Sequence, residues 1–152
     1  MGKQPLVSIC MITYDHEPFI AQAIEGVLGQ QAEFEIELVI GDDVSTDATG
    51  RICREYQAKY PSTVRVLERS HNLGIALNFM TTLEACEGKY VAICEGDDYW
   101  TDPRKLQKQV DYMESRPALA VCHHRLQIRD EGKGRLLGIT PDSKSVSSFA
   151  DL

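Results

Sequence analysis

The sequence predicts an α/β protein with an open, mainly parallel sheet of about five strands and helices on both faces. Short apolar runs of strand length alternate along the chain with longer segments in which apolar residues recur at helical spacing. The apolar runs are nearly unbroken, which is typical of strands covered on both faces in a parallel sheet. Strand twist makes the crossover connections between such strands right-handed.

Five segments fit a strand. The clearest reads VSICMIT over residues 7–13, and YVAIC over residues 90–94 has the same character. EIELVI over residues 35–40 is less apolar at its start, and VRVL over residues 64–67 is short. The segment over residues 118–126 supplies the expected fifth strand.

Four helices are predicted between these strands. The first begins at Pro18, because the N–H that proline lacks is not needed at the first position of a helix, and it ends at Gly29. The second follows a capping serine or threonine and ends before Pro61. The third and fourth cover residues 75–86 and 103–115.

The composition fits a small globular protein with an acidic surface. A length of 152 residues and a hydrophobic content of 43% suit one domain with a core. The 23 acidic and 16 basic residues give a net charge of -7, which argues against a nucleic-acid partner because such partners need a basic surface. We divide the chain into a domain over residues 1–126 and a loop-rich tail over residues 127–152.

Cysteine usage and the lack of targeting signals indicate the compartment. The five cysteines are odd in number and form no CxxC pair, which argues against a zinc site or a disulfide framework. Residues 1–5 are too short and polar for a signal peptide, and no apolar run approaches the ~20 residues that span a bilayer. We therefore expect a reducing, cytoplasmic setting, with peripheral attachment to the inner face of the membrane left open.

Polar and aromatic side chains follow the predicted strands at the points where the strands end. The carboxyl ends of parallel strands meet at one edge of a sheet, and ligands bind beyond that edge. The residues expected to converge there are Thr13, Tyr14, Asp15 and His16 after the first strand, Asp42 and Asp43 after the second, His71 and Asn72 after the third, and Asp97 and Asp98, with Tyr99 and Trp100 beside them, after the fourth.

Such a cluster of carboxylates repels itself unless a cation joins it. Mg²⁺ or Mn²⁺ prefers oxygen ligands, and magnesium is commonly held by one or two carboxylates together with phosphates and water. An aromatic ring such as that of Tyr14 offers a stacking face for a base. A carboxylate such as Asp43 can accept a hydrogen bond from a base or a ribose.

Each feature also has an ordinary structural interpretation. Asp42 and Asp43 taken alone fit a cap for the following helix, because aspartate suits that position. Asp97 and Asp98 alone fit a solvated loop equally well, and Tyr14 alone fits a half-buried packing residue. The functional interpretation rests on their coincidence at one edge of one sheet.

Four segments in order resemble the family 2 glycosyltransferases with the Rossmann-like GT-A fold. VSI leading to Thr13-Tyr14-Asp15 is similar to the opening strand and T-Y-N element of that family, and residues 37–47 look like its strand followed by D-D-x-S-x-D. Residues 72–74 with Asn78 resemble the N-x-G loop. Residues 88–98 are similar to the strand that delivers the DxD-type metal motif.

The resemblance implies a role for each matched residue. Tyr14 would flank the nucleobase, and Asp43 would bind a uracil-like imide N–H. Asp97 would contact the ribose or a metal-bound water, and Asp98 would bind the Mn²⁺ or Mg²⁺ that bridges the diphosphate. The nucleotide-sugar site would be completed by Thr13, Asp15, Asn72 and Gly74, with Asp42 in support.

The implied reaction is a metal-dependent, inverting transfer of sugar from a nucleoside diphosphate donor, UDP-linked, to a saccharide or lipid-linked acceptor hydroxyl. Such transfer serves polysaccharide or glycan synthesis. The family's acceptor site and catalytic base lie after the matched region, and residues 127–152 contain no convincing base. We therefore expect a truncated donor-binding half whose tail begins the acceptor-binding part. Its incomplete sheet edge would favour a homodimer.

The sequence departs from the family pattern at two places. Asp15 stands where the family usually has asparagine. The metal motif reads Gly-Asp-Asp, although Glu95-Gly96-Asp97 keeps an acid-x-acid spacing. Which oxygen meets the metal is therefore open between Asp97 and Asp98.

Three other functions have been associated with similar sheets or sites, and the sequence argues against two of them. Receiver-type signalling domains place paired acids after strand one, where this chain has Thr13 and Tyr14. Sugar nucleotidyltransferases have a glycine-rich basic loop at the same place, which this chain lacks. A non-catalytic module that binds nucleotide sugars stays open as an alternative.

Overall fold

The computed structural model describes residues 4–130 and 132–139. The chain forms two compact units, one ending at Gln107 and the other beginning at Lys108. In the described part, no helix is both long and apolar enough to cross a bilayer.

The first unit is built on a four-stranded parallel sheet. Its strands are β1 (Val7–Thr13), β2 (Ile36–Asp42), β3 (Val64–Leu67) and β4 (Tyr90–Ile93), arranged in the order β3-β2-β1-β4. The connecting helices are α1 (Ile20–Leu28), α2 (Thr49–Lys59) and α3 (Ile75–Glu84), and α4 (Lys105–Glu114) follows β4. The predicted α/β architecture with a parallel sheet is confirmed.

The helices lie on both faces of this sheet. α1 and α2 contact each other, while α3 packs against β1 and β2. β2 lies next to β1, and β3 lies next to β2 on the same side of β1. β4 lies on the opposite side of β1. Right-handed crossovers therefore place α1 and α2 on one face and α3 on the opposite face.

The core follows from the apolar pattern of the sequence. Every residue of β1 is buried, as expected of a central strand with neighbours on both sides. In α1 the buried side chains recur at helical spacing, at Ile20, Ala23, Ile24 and Val27. This stripe covers one face of the sheet and leaves the polar face of α1 to solvent.

The contact between α3 and β2 is polar and close. Asn78 and Thr82 of α3 are both buried, and the Asn78 Nδ2 donates to the carbonyl oxygen of Gly41 in β2 over 2.7 Å. A Cβ at position 41 would lie 2.7 Å from the Asn78 Oδ1 and closer still to the Thr82 hydroxyl. Glycine is therefore required at position 41 for α3 to approach the sheet.

We expect the Gly41→Ala substitution to lower the free energy of unfolding by about 2 kcal/mol, because overpacking costs of this order arise when neighbours must shift. Chemical denaturation would measure the loss. Gly138→Ala is the matched control, since a Cβ at position 138 meets no atom within 4 Å. Equal stability of the two variants would show that α3 does not pack as described.

The predicted fifth parallel strand over residues 118–126 is wrong. Those residues form no strand, and the exposed fraction of Val121 is 72%. The apolar part of the segment is only five residues long, contains two alanines, and runs into His123, His124 and Arg125. Such a composition neither favours a strand nor fills two buried faces.

A two-stranded antiparallel hairpin follows instead. β5 (Gln127–Asp130) pairs with β6 (Arg135–Ile139), with a register irregularity at Ile128 and Arg129. Both strands lie in the segment that the sequence predicts to be a loop-rich tail; residue 131 and residues 140–152 of that tail lie outside the described residues. The division of the chain at residue 126 stays a prediction.

Candidate functional site

The ends of β1 and β2 lie side by side. Thr13 and Asp42 are register partners in the parallel pair, and the Asp43 N–H donates to the Thr13 carbonyl over 3.0 Å. Tyr14 and Asp43 are therefore the first residues to leave the sheet from two adjacent strands. The Tyr14 ring is 45% exposed, whereas Asp43 is only 4% exposed.

The segment after β4 runs along the other side of the β1 end. We call residues 95–98 (Glu-Gly-Asp-Asp) the acidic loop. The Cys94 N–H donates to the Cys10 carbonyl over 3.2 Å, and the Gly96 N–H donates to the Ile12 carbonyl over 2.9 Å. These bonds extend the β1–β4 pairing beyond the strand and bring the acidic loop beside Thr13. The same edge of the sheet thus carries Tyr14, Asp43, Asp97 and Asp98.

Gly96 lets the acidic loop lie directly against β1. A Cβ at this position would lie 2.5 Å from the Thr13 Oγ1 and 3.0 Å from the His16 Nδ1. The Asp98 N–H donates to the Glu95 carbonyl over 3.0 Å, which closes a turn. The turn places three carboxylates, those of Glu95, Asp97 and Asp98, within four consecutive residues.

The acidic loop is electrostatically unfavourable as it stands. Burial raises the pKa of the Glu95 and Asp98 carboxyls above their ordinary values, and repulsion from Asp97 raises both further. His16 acts in the opposite direction on both pKa values, and its Nε2 lies 3.9 Å from the Asp97 Oδ2. A cation would relieve the remaining repulsion.

The free energy of unfolding should depend on pH because ionisation of Glu95 and Asp98 is unfavourable in the folded protein. The folded protein keeps the protons of Glu95 and Asp98 to higher pH than the unfolded chain does, so their contribution to stability falls as pH rises through the raised pKa values. The Asp98→Asn variant should therefore match the native protein near about pH 3 and become more stable toward about pH 7. We expect the gain to stay below about 1 kcal/mol, because the loop is solvent-accessible.

Thermal or chemical unfolding without added metal, across this pH range, measures that difference. An Asp98→Asn variant that is less stable than the native protein at neutral pH would contradict the described electrostatics.

Asp43 stabilises the loop that precedes α3 by accepting hydrogen bonds from its backbone. Its Oδ1 accepts the Leu73 N–H over 2.7 Å and its Oδ2 accepts the Gly74 N–H over 2.9 Å. The Asn72 Nδ2 in turn donates to the Asp43 carbonyl over 3.0 Å. Gly74 adopts φ 77°, a left-handed conformation that favours glycine. The carboxylate keeps acceptor capacity beyond these two bonds, since it has about four lone-pair sites.

Asp42 closes a turn within its own loop. Its Oδ1 accepts the Ser45 N–H over 3.3 Å and also the Ser45 hydroxyl. Val44 between them has φ 63°, an uncommon and strained conformation for a β-branched residue. Neither aspartate caps α2: the cap residue is Ala48, without a side-chain cap. The start of α2 is later than predicted because these turn bonds occupy residues 42–45.

The loops after β1 and β2 are held together by reciprocal bonds. Asp15, at φ 55°, accepts the Thr46 N–H over 2.6 Å, and its own N–H donates to the Ser45 hydroxyl over 3.0 Å. Glu17 accepts the Ala48 N–H over 3.1 Å, while its N–H donates to Asp47 over 3.0 Å. Sequence reasoning missed these roles of Glu17 and Asp47. Their acidic character next to a helix start is the signal that could have indicated them.

The oxygen-rich donor set suits a hard cation. No group of three histidine, cysteine, aspartate or glutamate side chains within residues 4–130 and 132–139 is close enough to hold a metal alone. Magnesium commonly needs only one or two protein carboxylates when phosphates and water complete its shell. Burial, and after it the repulsion among the carboxylates, raises the pKa of Glu95 and of Asp98, and a bound cation would offset both effects.

A cavity of about 270 Å³ lies beside this edge, at the ends of β2 and β3. Its walls carry both signs of charge, from Asp42, Asp47, Arg54 and Arg69 among others. The walls include neither Tyr14 nor Asp43 nor any residue of the acidic loop. We therefore place the candidate site at the open edge where those groups meet, and not in this cavity.

Comparisons with known sequences agree with this arrangement. Residues 8–148 match the family described as glycosyl transferase family 2. An uncharacterised protein of Mycobacterium tuberculosis is 48% identical over 122 residues, which are 80% of this chain and 35% of that protein. EpsE of Bacillus subtilis, which is named as a glycosyltransferase, is 34% identical over 131 residues, which are 86% of this chain and 46% of EpsE.

Solved structures share the fold. A mannosyltransferase of Pyrobaculum calidifontis, in complex with GDP-Man and Mn²⁺, is similar with a TM-score of 0.67 at 24% identity, over 77% of this chain and 34% of that one. TarS of S. aureus in complex with UDP is similar with a TM-score of 0.65 at 26% identity, over 74% of this chain and 33% of that one.

The chain spans less than half the length of these relatives. Within that span, the family match covers most of the chain and includes the strand ends at which the acidic and aromatic residues meet. The GT-A fold of the solved relatives agrees with the observed sheet. This chain therefore belongs to glycosyl transferase family 2.

Proposed function

We propose that this chain is the donor-binding part of a glycosyltransferase that uses a nucleoside diphosphate sugar, UDP-linked, with Mn²⁺ or Mg²⁺. One observation carries the proposal: in a family 2 chain, Tyr14, Asp43 and the acidic loop leave three adjacent strands at the same edge of the sheet. Ligands of open α/β sheets bind beyond that edge.

The nucleotide is assigned to the side of the edge formed by β1 and β2. The half-exposed Tyr14 ring offers a stacking face for the base, worth about 1–3 kcal/mol in other stacking sites. Asp43 is buried and fixed by the Leu73 and Gly74 amides, so its free lone pairs are pre-oriented to accept an imide N–H. Asn72, Gly74, Thr13, Asp15 and Asp42 shape this side. The TarS structure with UDP supports a uridine nucleotide.

The cation is assigned to Asp98, with Asp97 as a second ligand or a contact to the ribose. Asp98 carries a raised pKa caused by burial and by Asp97, which is the cost that a bound cation would remove. A bound divalent ion supplies Lewis-acid stabilisation of the departing diphosphate. The P. calidifontis mannosyltransferase, which shares the fold, was solved with Mn²⁺.

The proposed reaction joins the donor sugar to an acceptor hydroxyl with inversion, in polysaccharide or glycan synthesis. The acceptor is a saccharide or a lipid-linked saccharide, and a carboxylate base is needed to take the hydroxyl proton. The proposal assigns that base to no residue of this chain, so we expect donor binding without efficient transfer by these 152 residues. A cytoplasmic location, at the inner face of the membrane, and a homodimer complete the proposal.

Calorimetric titration of UDP in the presence and absence of Mn²⁺ tests the binding proposal. We expect UDP to bind the native chain more tightly with Mn²⁺, and the Asp98→Ala variant to lose the metal-dependent part of the affinity while remaining folded. Unchanged binding by that variant, or no binding to a folded native chain, would contradict the proposal. Efficient sugar transfer by the isolated chain would contradict the expectation of donor binding without transfer.

The length of the relatives supports one further candidate. The matched region is 35% to 46% of the relatives named above, which is compatible with a module that binds the nucleotide sugar and does no chemistry. Supplying a longer relative's remaining region in trans separates the two candidates. Transfer activity in the mixture supports the first candidate, the donor-binding part of a glycosyltransferase. Donor binding without transfer activity supports the second, a non-catalytic module that binds the nucleotide sugar.

A further inference from the structure

We propose that His16 is a positioning residue that sets the geometry of the acidic loop for the divalent cation, with Thr13 behind it. This inference rests on the proposed function of the same edge. It adds a residue that the comparison of motifs does not assign to the site.

His16 is joined to three parts of the site. Its carbonyl oxygen accepts the Phe19 and Ile20 N–H groups, each over 2.9 Å, at the start of α1. Its ring packs against Gly96, where a Cβ would lie 3.0 Å from the Nδ1. Its Nε2 lies 3.9 Å from the Asp97 Oδ2. The ring therefore connects the rigid end of β1 and the start of α1 to a carboxylate of the acidic loop.

Two buried polar atoms lie against the same glycine. The Thr13 Oγ1 and the His16 Nδ1 are both within 3.0 Å of the position that a Cβ would take at Gly96. Neither atom has a hydrogen-bond partner among the described residues, and Thr13 is only 2% exposed. Buried polar atoms without partners are costly, so their retention here calls for a role that packing alone does not supply.

The imidazole can contact both sides of the acidic loop at once. With a proton on Nε2 the ring donates toward Asp97, while Nδ1 lies on the Thr13 side of Gly96. The distance of 3.9 Å to Asp97 is too long for a direct hydrogen bond but suits a bridging water or a small movement of the loop. Thr13, His16 and Asp97 would then form a chain of contacts that orients the carboxylate.

Orientation of a carboxylate ligand by a neighbouring donor is a known way to tune a metal site. Loss of such a partner typically lowers metal affinity about 10- to 100-fold. The position of His16 suits this role better than a direct role toward the nucleotide, because its ring lies between the β1 end and the acidic loop. The side chain is also 26% exposed, so the Nε2 can reach a bound water.

The test compares His16→Phe, which keeps a flat ring without nitrogen atoms, with His16→Gln, which can place an N–H near the Nε2 position. Free Mn²⁺ would be followed by electron paramagnetic resonance during titration of the protein with saturating UDP. UDP affinity without metal and the melting temperature would be measured in parallel.

We expect His16→Phe to raise the apparent Kd for Mn²⁺ about tenfold. His16→Gln should recover most of that loss. UDP affinity without metal and the melting temperature should change little in both variants. Native-like Mn²⁺ affinity in His16→Phe would overturn the inference, and so would a parallel loss of all three properties. A native chain without any Mn²⁺-dependent UDP binding would instead overturn the proposed function.

Discussion

Replacing Asp43 with asparagine is expected to destabilise the protein and to weaken nucleotide binding together. Its carboxylate accepts two backbone N–H groups, from Leu73 and Gly74, at a position that is only 4% exposed. An asparagine can accept only one of them, and its NH₂ group would face the other. Hydrogen bonds to charged groups contribute about 1.5–3 kcal/mol, so we expect a loss of about 2 kcal/mol in the free energy of unfolding.

The affinity for the nucleotide should fall as well, because the same carboxylate is proposed to accept the imide N–H of the base. We expect UDP affinity of the folded Asp43→Asn variant to fall at least about tenfold, which is about 1.4 kcal/mol. Chemical denaturation and calorimetry measure the two effects. Glu55→Gln is the comparator, because Glu55 is an exposed carboxylate on α2 that bonds to Arg51 one helical turn away. Equal effects of both substitutions would refute the distinct role of Asp43.

The Gly96→Ala substitution should destabilise the protein and weaken metal binding together. A Cβ at this position would lie 2.5 Å from the Thr13 Oγ1 and 2.7 Å from the Thr13 Cβ, so the acidic loop must move away from β1. We expect a loss of about 1–3 kcal/mol in stability, as is usual for overpacking. We also expect at least a roughly tenfold rise in the Kd for Mn²⁺ in the presence of UDP, because the carboxylates are displaced.

Gly88→Ala separates steric strain from displacement of the site. A Cβ there would lie 2.6 Å from the backbone nitrogen of Ser8, at the opposite end of β1 from the acidic loop. The variant should lose stability as Gly96→Ala does, yet bind Mn²⁺ and UDP normally once folded. If Gly96→Ala also kept native metal affinity, the acidic loop would not be the metal-binding element.

The strands of the sheet could be predicted because nearly unbroken apolar runs mark them, most clearly in β1, which is buried at every residue. The run over residues 64–67 coincides with β3, and β1 begins and ends where its apolar run does. Residues 118–126 lack this signal, because their apolar run is short and contains two alanines. The β5–β6 hairpin could not be predicted because its exposed strands carry little apolar alternation, and the glycines at positions 132 and 134 are equally typical of a loop.

The meeting of the strand ends could be predicted from topology, but the bonds at that edge could not. Which amide a carboxylate accepts depends on loop conformations, such as φ 55° at Asp15 and φ 63° at Val44, that no sequence period encodes. The hydrogen bonds from the Leu73 and Gly74 amides to Asp43 are one example, because they join residues about 30 positions apart. The proximity of His16 to Gly96 is another example, because the two residues can approach only where glycine has no Cβ.

Nuclear magnetic resonance of the uniformly labelled chain, with UDP and substoichiometric Mn²⁺, measures the location of the ion directly. Paramagnetic broadening should be strongest for the amides of the acidic loop and of Thr13 beside it, and should decrease toward the C-terminal end of α2 and toward Gly88 at the opposite end of the sheet. UDP alone should shift the amides of Tyr14 and Gly74. Broadening centred on the cavity at the ends of β2 and β3, or spread evenly over the acidic surface, would contradict the placement of the donor at the edge formed by β1, β2 and β4.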